Sequence, residues 1–279
     1  MKPGTTVAEA LDQARSRGVA LLDARALLSR LFNADRAWLI AHDDAVLAPD
    51  IATRWSSWLD RRSNGEPLAY LLGEKEFFGL MLEVTPDVLV PRPETELLVE
   101  WAGELIGRTQ DKRHVIDLGT GSGAIALAIK NAHRSAQVSA TDCSEAALGV
   151  ARRNSIRLGL DIDYIRTSWW QGLGERHFDI AIANPPYVRS DDPALDLLAH
   201  EPRAALTPGA SGREALTAII DAAASHLALR GWLIVEHGFE QAEAVRALFE
   251  SAGFKSIETR RDLTGHPRAT GGQRPSEPS

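Results

Sequence analysis

The stretch HVIDLGTGSGAIALAI, residues 114–129, carries three signals in succession. His114-Val115-Ile116-Asp117 has the apolar density of a short buried strand, Leu118-Gly119-Thr120-Gly121-Ser122-Gly123 is a glycine-rich turn, and Ala124–Ala132 has helical spacing. A strand passing through such a turn into a helix is the opening unit of an α/β sheet. Its glycines let a ligand approach the backbone and the helix N-terminus closely. The same alternation extends on both sides: a helix over about 95–107, strands at 137–141, 163–166, 178–183 and 232–236, and helices at 144–158, near 213–229 and at 241–252. This pattern predicts a parallel, doubly wound, Rossmann-like sheet, whose ligands bind past the carboxyl ends of the strands where strand order reverses.

Asp142 follows Gly119 by 23 positions and closes the next strand. An acidic side chain there can accept hydrogen bonds from both hydroxyls of a ribose, so Asp117, Gly119, Thr120, Gly121, Gly123 and Asp142 form a candidate nucleoside site. The glycine spacing fits the dinucleotide fingerprint G-x-G-x-x-A as well as an S-adenosylmethionine loop, and alone it leaves both open.

A second segment decides between them. Asn184-Pro185-Pro186-Tyr187 directly follows the apolar strand 178–183, which this sheet type places next to the first strand. The prolines end the strand, fix φ and remove N–H donors, leaving the Asn184 side-chain carbonyl and the Pro185 backbone carbonyl as an acceptor-rich corner. Such a corner suits a substrate with a planar NH2 group. An amide or exocyclic amine nitrogen is a poor nucleophile, and two acceptors on its hydrogens can tilt its lone pair towards an electrophilic methyl. Tyr187 then supplies a flat wall against the substrate. Asn-Pro as a mere turn former is the plainer alternative.

The rest of the chain bounds these readings. Residues from about 5 to 70 are rich in Ala, Leu and Arg at helical spacing, with turn or cap positions at Asp23, Asn33-Ala34-Asp35 and Ala48-Pro49-Asp50. Trp38, Trp55 and Trp58 read as the core and rim of this small all-helical module. Glu76–Val84 reads as a hairpin turning at Gly79. The formal net charge of −7 disfavours a protein built to grip nucleic-acid backbone. No apolar run is long enough to span a bilayer, and Met1-Lys2-Pro3-Gly4 leads into polar sequence rather than a signal-peptide core, so a cytoplasmic protein is expected. The single cysteine, Cys143, reads as a small half-buried residue, and the histidines lack metal-ligand spacing, so no metal is expected. Disorder is expected only over Pro275–Ser279.

These motifs together resemble the release factor glutamine methyltransferases (the PrmC/HemK family). The resemblance runs over nearly the whole chain: Gly65-Glu66-Pro67-Leu68-Ala69-Tyr70-Leu71-Leu72-Gly73, Glu76-Phe77-Phe78-Gly79-Leu80, Val90-Pro91-Arg92-Pro93-Glu94-Thr95-Glu96, the glycine turn, Asn-Pro-Pro-Tyr and Glu236-His237-Gly238. It implies a helical substrate-recognition domain over 1–73, a β-hairpin linker over 74–92 and a class I S-adenosylmethionine-dependent methyltransferase domain over 93–279. It also implies methyl transfer to the glutamine amide in the Gly-Gly-Gln motif of class I peptide chain release factors, by a monomer that needs no direct nucleic-acid contact. Arg92, Pro93 and Thr95 would then lie near the cofactor and substrate mouth, Asp142 on the ribose, and Ser168-Trp169 by the adenine. Where the family commonly carries an acidic residue before the aromatic pair, this chain has Ser168. A final apolar strand is expected at Arg268–Gln273, and Gly271-Gly272 should weaken it. That stretch also spells Gly-Gly-Gln, read as coincidence, the alternative being a tail that visits an active site. The rival activity is adenine-N6 methylation of nucleic acid, since Asn-Pro-Pro-Tyr serves exocyclic amines equally well. A non-catalytic nucleoside-binding regulator is a more distant reading.

Overall fold

The computed structural model describes residues 4–108 and 112–276, so most of the Pro275–Ser279 tail and the first three residues lie outside it. The chain divides into two compact units, Met1–Glu74 and Lys75–Ser279.

Among the described residues the first unit holds five helices: α1 (Val7–Ser16), α2 (Leu21–Phe32), α3 (Arg36–Ala41), α4 (Pro49–Ser63) and α5 (Leu68–Leu72). Local chemistry sets their ends. Thr6 and Glu9 form a reciprocal capping box on α1, Asp35 accepts from the Trp38 N–H at 2.8 Å to start α3, and Pro49 opens α4 where a missing N–H costs nothing. Asn33 closes α2 in the left-handed region. Asp23 is not a cap. It lies in the first turn of α2 and accepts from the Arg62 guanidinium of α4 at 2.9 Å. Leu27, Leu28, Trp55 and Leu59 form the core, with Trp38 and Trp58 packed at its margin.

The division between units falls at the start of a hairpin, β1 (Glu74–Phe77) and β2 (Leu80–Glu83). Phe78 and Gly79 both have positive φ, the turn type whose twist matches paired strands. Then follow α6 (Glu96–Gly107), β3 (His114–Leu118), α7 (Ala124–Ala132), β4 (Gln137–Asp142), α8 (Glu145–Leu158), β5 (Asp163–Arg166) and β6 (Phe178–Ala183). Two short helices, α9 (Ala194–Leu197) and α10 (Arg203–Leu206), precede α11 (Glu214–Ala223), β7 (Leu227–Glu236), α12 (Ala242–Ser251), β8 (Lys255–Arg261) and β9 (Pro267–Gln273). Among the described residues the sheet runs β5-β4-β3-β6-β7-β9-β8, parallel except that β9 is antiparallel to both neighbours. Alternate strand residues feed two cores. Val115, Ile180 and Ile182 pack with α6 and α7, while Ile116, Leu118 and Val235 pack with α11 and α12.

Two expectations change. The helix near 213–229 ends at Ala223, and the strand placed at 232–236 begins at Leu227, because Leu227 pairs with Phe178 ahead of a bulge that helical periodicity cannot reveal. The glycines of the final strand do not leave it weak. β9 is interior to the sheet, where a Cβ on Gly271 would meet Trp101 at 2.8 Å and one on Gly272 would meet Phe249 at 2.8 Å. Aromatic rings occupy the space that side chains would take. Gly271-Gly272-Gln273 is therefore ladder-bonded backbone, which removes the visiting-tail alternative.

Candidate active site

Register brings the site together. Leu118 of β3 pairs with Thr141 of β4 and with Ala183 of β6, so Gly119, Asp142 and Asn184 leave the sheet side by side at the switch point. They line a cavity of about 240 Å³, and α7 opens beneath it with Ala124 and Ile125 on its wall.

The loop floor is tied down from below. The Gly119 and Thr120 N–H groups both donate to the Thr141 carbonyl, at 2.9 and 2.8 Å. Asp117 is fully buried and accepts from the Thr120 hydroxyl at 2.6 Å and from the Ala126 N–H at 3.3 Å. Burial pushes its carboxyl up to about 7, and its Oδ1 has no hydrogen-bond partner among the described residues. Asp117 thus holds the loop and does not reach the cavity wall. Gly123 has the same supporting part, since a Cβ on it would strike Leu127 at 2.9 Å. Gly121 is different: its φ is +55°, a Cβ would meet no atom within 4 Å, and its backbone borders open cavity.

Asp142 accepts from the Gly121 N–H at 3.0 Å through Oδ2 and from the Ser144 N–H at 2.9 Å through Oδ1. Burial raises its carboxyl, and these N–H donors pull it back. Each oxygen keeps a lone pair for a ligand hydroxyl. Ser168 and Trp169 also line the cavity, with the indole 3.0 Å from where a Gly119 Cβ would stand. Trp170 turns inward instead, donating to the Ile219 carbonyl at 2.8 Å. Cys143 is exposed on the rim rather than half-buried, because Asp142 ends its strand and the next residue faces outward.

Asn184 is half-buried on the wall. Its Nδ2 donates to the Thr95 hydroxyl at 2.9 Å, and its side-chain carbonyl makes no hydrogen bond among the described residues. Thr95 in turn donates to Glu236 at 2.7 Å. Pro186 lines the cavity and Pro185 is buried behind it.

Both units of the chain match known families. Residues 94–257 match the Methyltransferase small domain family, and residues 6–73 match the PrmC N-terminal domain family. The chain is 44% identical over 259 residues to the release factor glutamine methyltransferase of Bordetella pertussis, covering 91% of this chain and 95% of that protein. The chain belongs to the release factor glutamine methyltransferase family. A second relative, of the same name, from Coxiella burnetii, is 43% identical over 88% of this chain and 89% of its own length. A methyltransferase structure from Pyrococcus furiosus superposes with a TM-score of 0.54 at 18% identity over 79% of this chain and 99% of that one, a likeness of fold.

For a release factor glutamine methyltransferase, two further residues singled out in the sequence, Pro93 and Tyr187, do not line the cavity. Arg92 and Thr95 line the cavity, while Pro93 starts a single 3-10 turn behind them. The Arg92 guanidinium is held by Glu201, which also accepts from the Val90 N–H at 3.0 Å. Tyr187 is no wall of the cavity. Its hydroxyl is drawn 3.1 Å from Glu236, and its ring packs into the core beside α11 and α12. Glu201 and Glu236 are the site residues that sequence reasoning missed. Glu236 sat within the quoted Glu236-His237-Gly238 motif, a buried acid closing an apolar strand, and that was the available signal.

Proposed function

We propose that this chain transfers the methyl group of S-adenosyl-L-methionine to the side-chain amide nitrogen of the glutamine in the Gly-Gly-Gln motif of class I peptide chain release factors. The observation that carries it is Asn184, whose NH2 is spent on Thr95 while its carbonyl stands on the cavity wall.

The donor set fits the cofactor. Gly121 offers bare backbone beside open space, Asp142 offers carboxylate lone pairs to ribose hydroxyls, the indole of Trp169 offers a flat face for adenine, and the N-terminus of α7 favours a carboxylate. When bound, S-adenosyl-L-methionine supplies a sulfonium-activated methyl. Asn184 accepts one hydrogen of the substrate NH2, and the Pro185 carbonyl is the second acceptor in this reading. Together they orient the nitrogen lone pair, and positioning of this kind can supply up to ~7–11 kcal/mol of the barrier. No strong base is needed, because the proton leaves after the methyl has been transferred.

The helical unit is assigned to holding the release factor, Arg92 and Thr95 to the substrate mouth, and the net charge of −7 supports a protein substrate over nucleic acid. No helix among the described residues is long and apolar enough to cross a membrane. A cytoplasmic location goes with this reading, since its substrate serves translation, and a monomeric state is proposed with it.

The test is transfer of labelled methyl to a purified class I release factor, beside a factor with the Gly-Gly-Gln glutamine replaced and a sample of duplex DNA. Label on the intact factor alone supports the proposal, and label on DNA overturns the substrate. In the same assay Asn184→Ala is expected to lower turnover by roughly 10²–10³ while cofactor affinity is kept. Unchanged turnover would remove the carbonyl from the mechanism.

A further inference from the structure

The Asn184 side chain ends a chain of hydrogen bonds that runs away from the cavity. Nδ2 of Asn184 donates to Thr95 Oγ1 at 2.9 Å, Thr95 Oγ1 donates to Glu236 Oε2 at 2.7 Å, and the Tyr187 hydroxyl donates to Glu236 Oε1 at 3.1 Å. Thr95 is 4% exposed and Glu236 1% exposed, so water does not compete for either. An amide has a donor end and an acceptor end of nearly the same shape, so shape alone selects poorly between them. The direction of the hydroxyl protons decides.

We infer that Glu236 is a positioning residue that, through the Thr95 hydroxyl, fixes which end of the Asn184 amide faces the cavity. The inference rests on the methyl-transfer reading above and adds to it the control of the acceptor. An ionised carboxylate only accepts. It therefore takes the one proton of the Thr95 hydroxyl, and Thr95 can then only accept from Asn184, which turns the NH2 inward and the carbonyl outward. A protonated Glu236 can donate to Thr95 instead. The Thr95 proton is then free to bond the Asn184 carbonyl, the amide turns over, and a donor faces a substrate NH2 that needs an acceptor.

Groups from every packed element face this carboxyl: Thr95 and Glu94 from the segment before α6, Tyr187 from the loop after β6, and Arg268 from β9. Arg268 favours the charge and Glu94 opposes it, but burial is the largest influence and pushes Glu236 up to about 7. Arg268 is itself shared with Asp262 at 3.3 Å, which limits its pull. The switch between the two amide orientations accordingly falls near neutral pH.

The experiment compares wild type, Thr95→Val and Thr95→Ser in labelled methyl transfer to a purified class I release factor at saturating S-adenosylmethionine, from about pH 5.5 to 8.5, a range spanning that titration. Cofactor binding is measured separately by calorimetry as a check of folding. The expected result at the alkaline end is a kcat lower by roughly tenfold to a hundredfold in T95V, with near wild-type cofactor affinity and with T95S restored to within about threefold of wild type. Wild-type kcat is expected to fall by about tenfold per pH unit below the Glu236 titration, and T95V to lack that limb. Equal kcat in wild type and T95V, T95S as impaired as T95V, or one acid limb shared by all three would each overturn the relay. If T95V fails to bind cofactor, the T95S rate and the wild-type limb decide. A wild-type chain that leaves the factor unlabelled overturns the functional reading itself, an outcome distinct from active enzyme with an indifferent Thr95.

Discussion

Asp117 and Asn184 show how little of a residue's part can be read from its place in a motif. Both stand at strand ends beside the cavity, yet Asp117 is turned under the glycine loop and Asn184 is turned out onto the wall. The difference lies in available donors: the Thr120 hydroxyl and the Ala126 N–H draw the Asp117 carboxyl inward. Its burial has a consequence for stability. The ordinary carboxyl of the unfolded chain titrates near 3.8, and the folded group near 7. The folded state thus holds a proton that the unfolded state has given up, and the stability this confers is complete below the lower value and is lost as pH rises through the higher one. In the cofactor-free protein the urea midpoint should therefore decline between about pH 4 and 7, and Asp117→Asn, which cannot ionise, should flatten part of that decline. A variant with the full wild-type slope would place the titration elsewhere, with Glu236 the next group to test.

At the scale of elements, β9 is the instructive case. By composition it is a poor strand, with two adjacent glycines where apolar side chains were expected, and it lies between β7 and β8 because the helices bring their own bulk to it. Trp101 of α6 covers one glycine from one face of the sheet, and Phe249 of α12 covers the other from the opposite face. Gly271→Ala would press a methyl against the buried Trp101 ring and to 3.0 Å from the Leu233 carbonyl, neither of which can yield cheaply. A loss of about 1–3 kcal/mol in urea denaturation is expected, with cofactor affinity unchanged. A neutral G271A would mean that the sheet and α6 separate more readily than their close packing implies. The hairpin behaves in the opposite way, since its positive-φ pair Phe78-Gly79 is set by local geometry and was legible from Gly79.

At the scale of the molecule, the residues lining the cavity all lie between Asp87 and Ala205, inside the second unit. A chain beginning at Lys75 is thus expected to bind S-adenosylmethionine with near wild-type affinity, measured by calorimetry, while its KM for the release factor rises steeply. An unchanged KM would take the helical unit out of substrate recognition. The α/β alternation, the glycine turn, the proline stop after the strand 178–183 and the cap or turn at Asp35 were all readable in one dimension. Each rests on spacing, on proline and glycine backbone limits, or on a cap three residues from its partner, and such interactions close within one stretch of chain. What spacing could not supply is the set of partners that meet from distant segments. Thr95 and Glu236 are 141 positions apart, Arg92 and Glu201 are 109 apart, and Trp101 reaches Gly271 only once the sheet has formed. Local rules give a buried acid no partner until register and helix packing place a hydroxyl beside it. The motifs that line the cavity were therefore written in the sequence, while the partners of their side chains were settled by folding.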